Sequence, residues 1–102
     1  MNELETQYLA FEINEELENF QKVDITEGPL YNILNPSSIF LFLDSDHKQI
    51  WLWHGRHAGI RKKFIATQSV PKIRDKYGID YKITAVDDGK EDFAFKVFLG
   101  LE

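Results

Sequence analysis

The stretch Ile39–Gly55, read as IFLFLDSDHKQIWLWHG, constrains the fold of this chain more than any other part of it. Residues 39–43 are apolar without a break and rich in bulky and branched side chains, which is how a strand buried on both faces reads. Residues 44–48 contain no apolar side chain and read as the connecting turn. The apolar pattern returns over residues 49–53 as a second strand, and Gly55 punctuates it.

The flanking sequence supplies further strands and two helices. Tyr8–Ile13 alternates weakly and reads as a first strand, and Leu17–Ile25 as a second strand or a short helix. Glu27-Gly28-Pro29 and Asn35-Pro36-Ser37-Ser38 are turn signals, with one helical turn between them at Leu30–Leu34. Ala58–Tyr77 reads as a long helix stopped by Gly78. Its spacing places Ile60, Phe64, Thr67, Val70 (or Pro71) and Tyr77 on the core side, with Ile73 at the margin. Pro71 lies inside this helix, where it removes a hydrogen bond and crowds the preceding turn, so a kink near Thr67–Val70 or a break is expected. Ile79–Val86 reads as another strand. Glu91–Leu99 reads as a short closing helix with Phe93, Val97 and Phe98 at helical spacing. The expected class is α+β: a mixed central sheet between one long and one short helix.

The chain has 102 residues, which predicts one domain over 1–102, large enough for a core without disulfides or metals. A hydrophobic fraction of 43% with eight Phe argues against disorder. No apolar run reaches the roughly 18 residues of a transmembrane helix. The start carries no basic-then-apolar signal pattern and there is no cysteine, so a cytoplasmic protein is expected. The net charge is −5, but its distribution is uneven. Residues 54–78 hold seven basic side chains against Asp75 alone, while residues 1–47 hold ten acidic ones against Lys22. Such a dipolar domain is steered toward an acidic partner through its basic helix.

The ordered set of segments resembles the gelsolin/villin repeat. Leu43-Asp44 ends the first central strand and Trp53-His54-Gly55 the second. A long helix follows with small residues Ala58, Ala66 and Ser69 on its inner face. Next come a strand leading into Asp87-Asp88-Gly89-Lys90-Glu91 and an aromatic segment ending in Leu99-Gly100. The match is good over 37–102 and loose over 1–36. The resemblance implies a gelsolin-like, ADF-H-related fold whose long helix docks into a cleft of actin. It implies a single-repeat protein that binds actin monomers or modulates filaments, with severing disfavoured because linked repeats usually perform it. The residues expected on the outer face of the helix are Arg61, Lys62, Ile65, Gln68, Ser69 and Lys72, with Ile65 as the apolar anchor.

In such repeats a calcium ion often lies between a Gly-Asp pair before the first central strand and a Glu on the long helix. Here Ser37-Ser38 and Lys62 stand at those positions, so the usual site is expected to be absent, with the lysine taking over the charge of the ion. Asp44-Ser45-Asp46 lacks the ligand number of an EF-hand loop and reads as turn capping, as does Asp87-Asp88. Arg61-Lys62-Lys63 offers a contact for an anionic lipid headgroup. A pI of about 5.1 argues against nucleic acid. Without a phosphate-cradling loop, a nucleophile motif or a convincing metal set at His54 and His57, the chain reads as a binding module and not an enzyme. The alternative is a gelsolin-like module that contacts a coat subunit, a GTPase regulator or a second copy of itself.

Overall fold

The computed structural model describes residues 8–25 and 29–101. Five strands form one sheet: β1 (Tyr8–Asn14), β2 (Asn19–Val23), β3 (Ile39–Asp44), β4 (Gln49–His54) and β5 (Lys82–Asp87). Their order is β2-β1-β3-β4-β5. The first three pairings are antiparallel, and β4 pairs with β5 in parallel. A parallel neighbour needs a long crossover, and helix α1 (Ile60–Tyr77) provides it. Helix α2 (Phe93–Leu99) and a short 3-10 helix (Leu30–Ile33) complete the described fold. This is the expected mixed sheet with a long helix on one face and a short one on the other. The segment 17–25 resolves as a strand, and the strand after α1 starts at Lys82. The turn expected at Glu27-Gly28 lies outside the described residues.

β3 is the middle strand of the five, covered on both faces, and every one of its residues is buried. Alternation divides its side chains between two cores. Ile39, Leu41 and Leu43 face α1, together with Phe11 and Ile13 of β1 and Ile50 and Leu52 of β4. Phe40 and Phe42 face the other way and meet Trp53, Val86, Phe95, Leu99 and Leu30. The second core is aromatic: Phe42 lies 6.3 Å from Phe95, and Trp51 lies 5.1 Å from Phe95. Phe95 and Leu99 are the buried residues of α2, whereas Phe93 is 69% exposed. Of the spaced residues Phe93, Val97 and Phe98, only Phe98 packs against this core, 5.7 Å from Phe42.

The turns are locked by side chains. Asp44 Oδ1 accepts the backbone N–H of Asp46 at 3.1 Å and that of His47 at 3.4 Å, the capping expected of this carboxylate. Asp88 works across the fold instead. Its Oδ2 accepts both the backbone N–H and the Nε–H of Arg56, each at 3.1 Å. Glu91 joins the same junction, accepting from Trp53 Nε1 at 2.9 Å and from the Gly89 N–H at 3.1 Å. Gly55 is required by close approach: a Cβ there would lie 2.2 Å from the Pro36 carbonyl oxygen and 2.5 Å from that of Ser38. The Gly55 N–H donates to the Ser38 carbonyl at 3.0 Å, and His57 N–H donates to Pro36 at 2.8 Å.

Helix α1 presents the opposite face from the one its strongest apolar spacing suggests. Ile65, Ala66, Ser69 and Val70 are buried, while Ile60 is 85% and Phe64 63% exposed. The physical reason is space. The sheet face beneath α1 is already filled by Phe11, Phe20, Leu41, Leu43 and Leu52. A helix seated on large side chains approaches with small ones, as the Ala66 and Ser69 of the family resemblance indicate. The helix is continuous through Pro71 over 18 residues and does not break into two segments. Pro71 and Thr67 both lie on the exposed side, so the Thr67 carbonyl that loses its N–H partner faces water. Among the described residues, no helix is long and apolar enough to cross a membrane.

Candidate functional site

The outward face of α1 carries an apolar ridge. Ile60, Phe64, Thr67 and Pro71 recur every three or four residues and lie along one exposed line, with Gln68 beside them. Ile60 and Phe64, stacked one helical turn apart, make a contiguous exposed apolar surface. The ridge starts at the helix end itself. Gly59 occupies the N-cap at φ 87° without a side-chain cap, and no acidic residue lies in the first turn.

The candidate residues divide into three groups. Ile65 and Ser69 are 6% and 3% exposed and belong to the core, so neither lies on the outer face and Ile65 is not an exposed anchor. Both sit about half a turn from the ridge, against the sheet. Arg61, Gln68 and Lys72 are exposed, as expected. Arg61 is engaged within the chain: its Nε lies 3.4 Å from Glu15 Oε2, and its Nη2 donates to Glu18 Oε2 at 3.0 Å. The acidic β1–β2 turn thus neutralises the first cation of the helix. Lys62 is half-buried, and its Nζ donates to the Ser37 carbonyl at 2.7 Å. Of the basic triplet Arg61-Lys62-Lys63, only Lys63 has a side chain with no hydrogen bond or ion pair among the described residues, and it is exposed. Ile60 and Phe64, the two residues that build the ridge, are absent from the sequence-derived set, because helical spacing places both on the core side; the structure exposes them instead.

The Lys62 contact occupies the place where the resemblance implies a metal. The ammonium bonds the backbone oxygen of Ser37, and the adjacent Ser38 hydroxyl is buried with no protein partner among the described residues. A cationic nitrogen against a carbonyl oxygen is a charge-assisted hydrogen bond, fit to hold the start of α1 against the start of β3. Among the described residues, no group of three or more His, Asp or Glu side chains could hold a metal ion.

His54 ends β4 with Nδ1 3.6 Å from Asp87 Oδ1. Burial holds its imidazole below the ordinary value of 6.5, Asp87 opposes that shift and Lys63 adds to it. Arg56 drives the Asp88 carboxyl below its usual range, chiefly through the side-chain hydrogen bond between them. A cavity of about 770 Å³ opens on the other face of the sheet, between Trp51 and α2, and contains none of the α1 residues.

No family model matches the sequence, and no curated protein matches it. Solved structures do. The ProGel protein of Thorarchaeota, crystallised in complex with rabbit actin, is similar at 28% identity and TM-score 0.78, over 91% of this chain and 99% of that one. The 2DGel3 protein of Thorarchaeota, also crystallised with rabbit actin, shares the fold at 19% identity and TM-score 0.68, over 97% of this chain and 50% of that one.

Proposed function

We propose, from the premise that this chain is a single gelsolin-like domain, that it binds actin through the exposed ridge of α1. The observation that carries the reading is the pair Ile60 and Phe64, 85% and 63% exposed on the element that the sheet leaves free. The similarity to ProGel, a protein crystallised with actin, supports the partner. Ile60 and Phe64 enter an apolar cleft as anchors, Thr67, Gln68 and Pro71 extend the contact, and the flanking cations complement an acidic rim. A domain that offers one ridge occupies one actin cleft. Binding monomers, or altering filaments through their ends, follows from that stoichiometry more naturally than severing does. In this reading the protein is a binding module, and Lys62 supplies in covalent form the positive charge that a cation supplies elsewhere.

Affinity for actin monomers and the kinetics of their polymerisation test the reading. Phe64→Asp places a charge at the centre of the contact and should weaken binding by about a hundredfold or more, the loss expected of a hot-spot residue of at least ~2 kcal/mol that is also forced to desolvate a carboxylate. Unchanged binding by the folded Phe64→Asp and Ile60→Asp variants would remove the ridge from the interface.

A further inference from the structure

The basic residues of α1 are not equally engaged, and the difference marks a second feature of the surface. Arg61 is paired with Glu15 and Glu18, Lys62 with the Ser37 carbonyl, and Arg74 lies 4.0 Å from Asp75. Lys72 and Lys76 are four residues apart on the same flank, and neither lies within ion-pair distance of a carboxylate among the described residues. Like charges at that spacing repel, and no carboxylate among the described residues pairs with either. Lys76 lies 5.6 Å over the ring of Tyr77, a cation–π contact that leaves it without a counter-ion. The two lysines rim a notch of about 220 Å³ between α1 and the edge of the sheet, floored by Phe11, Phe20, Ile73 and Tyr77. Lys22 is the register partner of Phe11 and so stands on the same side of the sheet, though it does not line the notch. Two cations therefore rim an apolar notch on the C-terminal half of the helix that carries the ridge.

We infer that this notch receives an acidic side chain of the protein seated on the ridge, the carboxylate lying between Lys72 and Lys76 and its aliphatic stem over the aromatic floor. The inference rests on the ridge being the docking surface. It adds a fixed second point beside the first, and two points set the direction in which the partner lies along α1. Charge complementarity selects the occupant: an apolar floor alone accepts any greasy residue, but a rim of unneutralised ammonium groups favours an anionic one. The C-terminal half of the helix thereby supplies the salt-sensitive part of binding, and Ile60 and Phe64 the salt-insensitive part.

Binding of actin monomers to the full chain across a salt series tests this. The double variant Lys72→Gln/Lys76→Gln should bind about tenfold more weakly at low salt, with a flatter salt dependence, and Lys72→Arg/Lys76→Arg should keep the affinity within about threefold. Loss of a repulsive pair does not destabilise the helix, so the Gln variant should melt no lower than the parent. If the Gln variant binds as the parent does with an unchanged salt slope, while Phe64→Asp still loses binding, the notch is not a contact and the ridge stands. If neither variant changes binding, the ridge falls and the notch with it.

Discussion

At single positions, the backbone decides more than the side chains do. Gly55 lies where β4 passes the carbonyls of Pro36 and Ser38, and its N–H is bonded to one of them. A methyl group there meets backbone oxygens that cannot rotate away. Gly55→Ala should therefore destabilise the protein by roughly 2–4 kcal/mol and lower Tm by about 10 °C or more, as read by thermal denaturation. Gly59→Ala is the comparison: its Cβ has no neighbour within 4 Å, so only the backbone resists it, at φ 87° and ψ 160° in a region nearly confined to glycine, and the loss should be about 1–3 kcal/mol. His54 makes a pH-dependent contribution. Its folded pKa lies below the unfolded value of 6.5, chiefly through burial. The unfolded chain thus binds more protons, and stability rises with pH through this window. The contribution is full above 6.5 and is lost as pH falls from there through the folded pKa. Urea midpoints between pH 7.5 and 5.5 should drop for the parent and drop less for His54→Asn.

Among the elements, α1 separates what the sequence makes legible from what it hides. The strands β3 and β4, the crossover helix and the α+β class are all readable, because apolar runs, turn residues and Gly78 mark them without ambiguity. The orientation of α1 is not readable from spacing alone. Ile60, Phe64, Thr67 and Pro71 form one helical line, and Ile65, Ala66, Ser69, Val70 and Ile73 form another about half a turn away. Periodicity favours the line with the larger side chains. Packing favours the one that fits over Phe11, Phe20 and Leu41, and sequence spacing carries no term for the volume already present on the sheet. The same limit hid the notch, whose walls come from β1, β2 and α1 and meet only in three dimensions. The two faces make opposite predictions for neighbouring residues. Ile65→Ala empties a buried site and should cost about 2–4 kcal/mol in denaturant titrations, whereas Phe64→Asp, on the solvent side, should shift stability by only about 0.5 kcal/mol.

For the molecule as a whole, one sheet supports two separate cores, one on each face. The α1 face carries the helix with the exposed ridge, and the α2 face is packed with Phe40, Phe42, Trp53 and Phe95. The tether from Lys62 to Ser37 ties the start of α1 to the start of β3 with a positive charge of the chain's own. Affinity for actin should accordingly be the same within about twofold in millimolar calcium and in excess chelator, a test that equilibrium binding settles directly. A strong calcium dependence would overturn the role given to Lys62. The contact between Tyr8 and Phe98, 5.1 Å apart edge to face, has its own consequence. It pins the first described strand to α2, across the sheet from the ridge. Trimming either ring to a methyl group would therefore slacken the far side of the molecule and leave the ridge in its place.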